Sequence, residues 1–318
     1  MSRKPFAVER VEAEPADISM IVCTRDRRGQ LTHALESIAT SANVARDVRI
    51  ELIVVDNGST DGTARLAKAF ARLAGFPVIV VSEPRIGLSN ARNTGVKHAS
   101  GEILAFTDDD CRLQADFFAM LARAFARQDA PAILGGRVLH GDPTDAPFSI
   151  KTDEQAARLD ARTHPGGFLL GCNMAIHRKV FETVGLFDPL FGAGAPFSAS
   201  EETDFIYRAY RAGFAVEYQP DPTVSHFHGR KTAEEIRRLS HGYFVGTGAM
   251  YAKHRMGGAW LLRHLLSNIR SAAAELLGGK MFSPDLSISH VDLVRDNLAG
   301  MMLYWSHRLG LWAPRKGG

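Results

Sequence analysis

The sequence predicts an α/β fold in which a mainly parallel sheet carries helices on both faces. From residue 18 onward, short runs of β-branched residues alternate with segments of helical periodicity, and strands that alternate with helices are most simply assembled as such a sheet. Three predicted strands end in polar clusters, as expected for ligand-binding loops at the carboxyl edge of an open sheet. With 318 residues, of which 45% are hydrophobic, the chain is long enough to bury a sizeable core.

The first part of the chain alternates strand and helix in strict order. Continuous apolar runs predict strands at 18–24, 50–56, 77–83 and 102–108. Helices are predicted between them, at 31–40, 59–75 and 88–100. In the first helix, Leu31, Leu35 and Ile38 share one face. The second begins with hydroxyl and acidic residues, so Ser59 or Thr60 is expected to be its N-cap.

The pattern is less regular beyond residue 137. Long loops are predicted at 140–147 and 163–167. Further elements are predicted as a strand and short helix within 168–188, a helix at 201–213 and a strand at 223–228. From Thr232 onward the chain has helical periodicity. We therefore expect a flexible lead over 1–17, an α/β domain over 18–230 and a C-terminal helical region over 231–318.

Charge and cysteine content narrow the class of protein. The net charge of +3 gives no reason to expect a nucleic-acid partner. Three widely spaced cysteines form no disulfide or zinc pattern, which favours a reducing, cytoplasmic setting. The first 17 residues lack the apolar core of a signal peptide, and no apolar stretch reaches the ~20 residues of a membrane span.

The C-terminal helical region is the basic part of the chain. Residues 226–318 hold 13 Lys and Arg against 6 Asp and Glu, a net charge of +7. This region could pack on the α/β domain, form a homodimer, or lie on the inner face of an anionic membrane. Its aromatic residues resemble core residues and favour packing within the chain or in a dimer: Trp260, Tyr304, Trp305 and Trp312.

The segment "LAFTDDDCR" places three carboxylates directly after a buried strand. If the strand continues, Asp108 and Asp110 leave the same face and Asp109 points away. Two carboxylates on one face offer the oxygen ligands preferred by Mg²⁺ or Mn²⁺, which also attract phosphate. A cation here would relieve the repulsion among the three charges.

Two glycine-containing loops could contact the same ligand. In "DNGSTDG", Asp56 could accept hydrogen bonds from a nucleoside, although an Asx turn with a helix cap explains the residues equally well. In "GLSNARNTG", Arg92 and Asn93 lie near a helix N-terminus, which favours anions, but Arg92 could also be a surface residue.

Two further clusters contain residues suited to catalysis. In "EETDF", Glu202 is a candidate general base, although acidic residues at a helix start also compensate the helix dipole. In "HFH", His226 and His228 lie on one side of a strand and could complete a metal shell or play a structural part.

Seven of these segments, in this order, resemble the family 2 glycosyltransferases, whose catalytic domain has the GT-A fold. They are "IVCTRDR", "LIVVDNGSTDGT", "GLSNARNTGV", "ILAFTDDDC", "GCNMAIHRKVFETVGLFD", "EETDFIYRAYRAG" and "VSHFH". The resemblance covers about residues 18–230. It implies an inverting transfer of a sugar from a nucleoside diphosphate-sugar to a hydroxyl of a glycan or lipid-linked acceptor, in polysaccharide, glycolipid or cell-surface glycan biosynthesis.

The resemblance also implies roles for individual residues. The donor would be bound by Thr24, Arg25, Asp56, Asn57, Arg92, Asn93, Asp108 and Asp109. The Mn²⁺ or Mg²⁺ ligands would be Asp108, Asp110 and His226, with Glu202 as the catalytic base. Acceptor or loop roles would fall to Gly171, Asn173, Glu201 and Asp204. The chain departs from the family at Glu202, where an Asp is usual, and at Ser200, where a Gly is usual.

Three other functions compete with this one. A dinucleotide-dependent oxidoreductase needs a G-x-G-x-x-G turn after its first strand, which "CTRDRRG" lacks. A nucleotidyltransferase could use the same metal ligands but leaves "EETDF" and "HFH" without a role. A non-catalytic relative that only binds nucleotide-sugar remains an alternative to the enzyme.

Overall fold

The computed structural model describes residues 15–254 and 258–311. Nine strands form one sheet: β1 Ile18–Thr24, β2 Ile50–Asp56, β3 Val78–Ser82, β4 Ile103–Asp108, β5 Cys111–Leu113, β6 Ala132–His140, β7 Ala157–Arg158, β8 Met174–His177 and β9 Ala215–His226. The described α-helices are α1 Arg28–Val44, α2 Thr63–Leu73, α3 Leu88–His98, α4 Phe117–Ala126, α5 Arg178–Val184, α6 Glu201–Arg211, α7 Ala233–Lys253, α8 Gly258–Leu276 and α9 His290–Arg308.

The sheet is parallel in its first half and mixed in its second. The strand order is β3-β2-β1-β4-β8-β6-β9-β5, with β7 also paired to β9. Strands β3, β2, β1 and β4 are parallel, while β8 is antiparallel to both β4 and β6. The parallel strands come from the alternating strand–helix segments, because each helix returns the chain to the same sheet edge. The predicted mixed, mainly parallel α/β fold is therefore confirmed.

Apolar side chains alternate between the two faces of the central strands and form two cores. On β1, Ile21 faces the core covered by α3, α5 and α6, whereas Met20 and Val22 face the core covered by α1 and α4. Leu31, Leu35 and Ile38 of α1 are buried in the second core, as their shared face predicted.

The second half of the sheet was only partly predicted. The strand expected at 223–228 is the end of the longer β9, and β6 was not recognised. Helix α2 begins at Thr63 with Gly62 at the N-cap position, so the N-cap prediction at Ser59 or Thr60 is wrong. Both residues instead hydrogen-bond to Asp26 of the neighbouring loop.

The C-terminal helices α7–α9 pack on the α/β part through a shared apolar cluster. Trp260 and Tyr304 are buried in that cluster beside residues of α6, as predicted. Trp305 is 45% exposed, so the prediction that it is a core residue is wrong for the described chain, and Trp312 lies outside the described residues. Among the described helices, none has the length and apolar character of a membrane span.

Candidate active site

The loops after β1, β2 and β4 meet at one edge of the sheet. Strand pairing places Thr24 opposite Asp56 and Cys23 opposite Asp108. The Asn57 backbone N–H donates to the Thr24 carbonyl at 2.9 Å. The three polar clusters at the ends of these strands therefore line one cleft, as the sequence predicted.

The three aspartates are not arranged as an extended strand. The chain turns at Asp109 and Asp110, and the Thr24 hydroxyl donates to Asp109 Oδ2 at 2.7 Å. Arg27 lies 3.0 Å from Asp110 Oδ2 and 4.0 Å from Asp109 Oδ1. The prediction that Asp109 points away from its neighbours is therefore wrong, because it assumed that strand geometry continued past Asp108. Burial raises the pKa of Asp109 to about 7 despite the Thr24 and Arg27 contacts.

Arg27 was not among the predicted site residues. Its guanidinium neutralises part of the acidic cluster and is 35% exposed on the side chain. Its position in the "TRDR" segment could have indicated this role. The segment follows β1 directly, and a long basic side chain there can reach the carboxyl ends of β1 and β4.

Arg92 connects the acidic cluster to the acidic pair at the start of α6. It is 3% exposed, with one nitrogen 2.9 Å from Glu201 Oε1 and the other 3.6 Å from Asp108 Oδ1. It also donates to the Gly171 carbonyl at 3.2 Å. Arg92 is thus a buried cation that positions Asp108 and Glu201, rather than an open anion site or a surface residue.

Asp110 and His226 form the centre of the candidate cation site. His226 Nε2 lies 3.3 Å from Asp110 Oδ1, and Asp110, Cys111 and His226 each bring one ligand atom within 4.8 Å of the others. Burial keeps the Cys111 thiol protonated by raising its pKa. A carboxylate and an imidazole are ligand types that fit a divalent ion such as Mn²⁺, whose remaining positions a bound diphosphate would fill. Asp108 is outside this cluster in the described chain, because its carboxylate faces Arg92.

The two histidines of "HFH" have different surroundings. Burial lowers the pKa of His226, but its hydrogen bond to Asp110 and nearby negative charges outweigh burial and raise it to about 9. His228 donates toward the Ala146 carbonyl at 3.0 Å and accepts from the Arg230 backbone. The fold therefore brings His226, and not His228, to the acidic cluster.

Glu201 and Glu202 are adjacent but differ in their partners. Glu201 is buried and bound to Arg92, whereas Glu202 is half-buried and makes no ion pair within the described residues. Burial, and next the charge of Glu201, raise the pKa of Glu202 to about 8. A carboxylate without a neutralising partner and with a raised pKa is suited to accept a proton near neutral pH.

The predicted nucleoside-binding residues divide into two groups. Asp56 accepts from the Ser59 backbone at 3.3 Å, consistent with the Asx turn, and Arg25 is exposed beside Asp26. Asn57 instead bonds to the backbone of residues 83, 85 and 87. Asn57 therefore shapes the adjoining loop, while the ligand-binding roles of Asp56 and Arg25 stay predictions.

Two other predicted asparagines are used by the scaffold. Asn93 exchanges two hydrogen bonds with the Phe187 backbone, at 2.8 and 2.9 Å. Asn173 donates to the carbonyls of Arg137 and Pro222, joining β6 to β9 beneath the site. Because both side chains hydrogen-bond to backbone groups, they hold in place the loops around the candidate site.

Asp204 lies one turn after Glu201 and faces away from the cleft. It is completely buried, with Lys253 Nζ at 2.7 Å, His254 Nε2 at 2.8 Å and Arg208 Nε at 2.9 Å. These contacts outweigh burial and hold its pKa well below the usual range. Asp204 therefore fastens α6 to the end of α7 and has no place to contact an acceptor.

Ser200 adopts a left-handed backbone conformation, with φ of +72°, immediately before α6. That conformation costs an ordinary residue about 1 kcal/mol and glycine nothing, but glycine also loses more chain entropy on folding. We expect Ser200→Gly to keep the melting temperature within about 2 °C of the unmodified protein. Ser200→Val should lower it by more than about 5 °C in a thermal melt, because β-branched residues fit this conformation poorly. Equal melting temperatures for Gly and Val would contradict the expected strain.

A family model provides the first comparison with known proteins. The model described as "Glycosyl transferase family 2" matches residues 19–185. The succinoglycan biosynthesis protein ExoM of Rhizobium meliloti is 29% identical over 213 residues, which are 66% of this chain and 67% of ExoM. The glycosyltransferase AglE of Haloferax volcanii is 44% identical over 63 residues, 20% of this chain and 21% of AglE.

Solved structures agree with the fold. The mannosyltransferase PcManGT of Pyrobaculum calidifontis, solved with GDP-Man and Mn²⁺, gives a TM-score of 0.55 at 19% identity and covers 98% of this chain and 85% of its own. Residues 1–349 of S. aureus TarS, solved with UDP-GlcNAc, give a TM-score of 0.53 at 17% identity, and the match covers 92% of each chain. The family match spans more than half of the chain and includes the acidic cluster and Arg92. The chain belongs to glycosyl transferase family 2 and is a glycosyltransferase with the GT-A fold.

Proposed function

We propose that the protein transfers a sugar from a nucleoside diphosphate-sugar to a hydroxyl of a glycan or lipid-linked acceptor, with inversion at the anomeric carbon. The observation that carries this proposal is the division of labour among the acidic residues. Asp110 and His226 lie side by side, Glu201 and Asp108 both lie beside Arg92, and Glu202 forms no ion pair within the described residues. Because Glu202 has no ion-pair partner within the described residues, its carboxylate can accept the proton of an acceptor hydroxyl.

The residues support one concerted displacement. Glu202 would take the proton of the acceptor hydroxyl as its oxygen bonds to the anomeric carbon. The bond from that carbon to the diphosphate oxygen breaks on the opposite face, which inverts the configuration. A divalent cation held by Asp110 and His226 would supply Lewis-acid stabilisation of the leaving diphosphate. Arg92 would keep Asp108 and Glu201 fixed on either side of the reacting centre.

The relatives point toward this donor class and leave the sugar open. PcManGT was solved with GDP-Man and Mn²⁺, and TarS with UDP-GlcNAc. ExoM is named for succinoglycan biosynthesis, which supports a polysaccharide or glycolipid product. A non-catalytic binder would not need Glu202, and a nucleotidyltransferase would need neither Glu202 nor His226.

Donor binding tests the cation site directly. We expect nucleoside diphosphates to bind at least about tenfold more tightly with Mn²⁺ than with excess chelator, because the cation links two sets of negative charges. Asp110→Asn should remove most of that gain when affinity is measured by calorimetry. Asp142→Asn, an exposed loop carboxylate with a distant lysine, is the matched control and should keep it. Equal binding with and without Mn²⁺ would contradict the metal assignment.

We further propose that the C-terminal helices lie on an anionic membrane surface on the cytoplasmic side. Exposed apolar residues recur at helical spacing on α8, at Leu262, Leu266 and Ile269, and Arg270 lies beside them. Met302 and Trp305 are exposed apolar residues on α9, and α9 packs on α8. An apolar stripe bordered by basic residues is the pattern of a helix that lies in a lipid headgroup region.

Vesicle flotation tests this surface. We expect the protein to float with phosphatidylglycerol-containing vesicles and not with pure phosphatidylcholine vesicles at low salt. Ile269→Glu combined with Met302→Glu should abolish flotation, while Leu73→Glu, which changes an exposed leucine on α2, should not. If the double variant instead converts a dimer to a monomer in sedimentation velocity, the surface is a dimer interface and the membrane proposal fails.

A further inference from the structure

An aromatic pair from two different parts of the chain has no role in the proposed chemistry. Phe148, in the loop after β6, stacks on Tyr243 of α7 with ring centroids 5.8 Å apart and an interplanar angle of 22°. Tyr243 is a large aromatic side chain and is 38% exposed, although the last two turns of α7 that follow it are largely buried. An exposed, pre-stacked ring at a cleft is a binding surface rather than a core contact.

One side of Tyr243 is linked to the candidate cation site. Its hydroxyl lies 3.4 Å from the Ser149 hydroxyl. The Ser149 carbonyl in turn accepts a hydrogen bond from His226 Nδ1 at 3.2 Å, which leaves Nε2 facing Asp110. Tyr243 is thus two contacts away from the residue expected to hold the cation.

The other side of Tyr243 is linked to the candidate base. One turn further along α7, Gly246 lies so close to the segment before α6 that a Cβ would come within 2.8 Å of the Ala199 carbonyl oxygen. Thr247 Oγ1 lies 3.4 Å from Ser200 Oγ. Residues three and four apart share a helix face, so Tyr243 faces the same edge as the start of α6. Burial raises the pKa of the Tyr243 phenol to about 12, and the charges of Glu202 and Glu201 add to the rise.

On the basis of the proposed function, we propose that Tyr243 and Phe148 form a subsite that binds a sugar ring of the acceptor. The flat apolar face of a pyranose packs on an aromatic ring, while its hydroxyls need polar partners at the rim. The Tyr243 and Ser149 hydroxyls supply such partners beside the ring. The loops after β1 and β2 carry the residues expected to bind the nucleoside, whereas the base must adjoin the acceptor hydroxyl. The acceptor is therefore a glycan rather than a bare lipid alcohol.

Tyr243 lies in the C-terminal helical region. The family model ends at residue 185, whereas Tyr243 belongs to α7, beyond β9. Tyr243 therefore lies outside the segment that the family model matches.

Fluorine NMR tests the subsite without requiring transfer activity. The full chain, with its six tyrosines replaced by fluorotyrosine, gives a resonance for Tyr243 that Tyr243→Phe identifies by its loss. The probes are methyl β-D-glucopyranoside, methyl α-D-mannopyranoside and methyl N-acetyl-β-D-glucosaminide, with glycerol as the non-sugar control. We expect at least one glycoside to shift the Tyr243 resonance saturably at millimolar concentration, and glycerol to leave it unchanged.

Variants separate the subsite from the rest of the machinery. Tyr243→Leu should weaken binding of the responding glycoside, measured by saturation-transfer NMR, at least about tenfold. Trp305→Ala, which removes an aromatic residue of similar exposure on α9, should leave it unchanged. No response from any glycoside, or an unchanged affinity in Tyr243→Leu, would overturn the proposal. Failure of nucleoside diphosphates to bind would instead refute the proposed function, and the glycoside response would still decide the subsite.

Discussion

Glu202→Gln is expected to reduce sugar transfer by about 10²–10⁴-fold while leaving donor affinity within about twofold of the unmodified protein. The amide keeps the size and hydrogen-bonding capacity of the side chain but cannot accept the acceptor proton. Glu202 makes no ion pair within the described residues, so its charge is not needed to hold Arg92 or the acidic cluster in place. Transfer is measured by release of nucleoside diphosphate with acceptor present, and affinity by calorimetry.

The pH dependence follows from the raised pKa of Glu202, which is about 8. A general base works only when deprotonated, so kcat/KM for the free enzyme should rise about tenfold per pH unit below that value and level off above it. Because the folded-state pKa lies above the ordinary carboxyl value of 4.5, the unfolded chain ionises first, and Glu202 costs stability increasingly as the pH rises from about 4.5 to about 8. Glu202→Gln should therefore match the unmodified protein below about pH 4.5, become more stable through that range, and keep a constant advantage above about pH 8.

Glu202→Asp provides the matched comparison. The shorter carboxylate is the residue usual in the family at this position, so we expect it to keep measurable transfer where the amide does not. If Glu202→Gln retains more than about a tenth of the original rate, another group removes the proton and the base assignment fails. If donor binding is lost together with transfer, Glu202 belongs to the donor site instead.

Asp204→Asn is expected to destabilise the protein by about 3–5 kcal/mol, which should appear as a clear fall in melting temperature. The Asp204 carboxylate is fully buried among Lys253, His254 and Arg208. The amide would remove the counter-charge of His254 and Arg208 and leave Lys253 with Asp188. Because Lys253 and His254 belong to the end of α7, the variant should also loosen the C-terminal helices, measured by hydrogen exchange.

The pH dependence of this effect has a definite sign. The pKa of Asp204 is lowered in the folded state, so its contribution is complete above the ordinary carboxyl pKa of about 3.9 and shrinks as the pH falls below it. The difference in stability between the two proteins should therefore narrow in acid. Glu234→Gln, which removes an exposed partner of Arg238, should change stability by less than about 1 kcal/mol. A similar loss of stability in Asp204→Asn and Glu234→Gln would show that the buried cluster around Asp204 stabilises the protein no more than an exposed ion pair does.

The sequence predicted the parallel half of the sheet because its signals are local. Apolar runs at 18–24, 50–56 and 102–108 became β1, β2 and β4, and their polar ends converged as strand geometry requires. The second half of the sheet was harder to predict from the sequence. Strand β6 contains two glycines and β9 two prolines, so neither shows the uninterrupted β-branched run that marks a buried strand.

The candidate site was predicted in its residue types more than in its contacts. Asp108 and Asp110 were expected on one face of a strand, but a turn sends Asp108 to Arg92 and Asp110 to His226. Arg92 was expected to meet anionic ligands and instead neutralises two carboxylates of the protein itself. These pairings have no local signal in the sequence. Arg92 and Glu201 are 109 residues apart, and Asp110 and His226 lie at the ends of different strands.

By itself, the sequence determined the α/β class, the edge of the sheet at which polar residues gather, and the family to which the chain belongs. All three follow from periodicity or from short motifs, which are properties of neighbouring residues. Only the tertiary structure decided which of the two glutamates pairs with Arg92, which histidine meets Asp110, and that a tyrosine of α7 stacks on Phe148. Burial and charge pairing depend on what surrounds a side chain in space, and those surroundings come from distant parts of the chain.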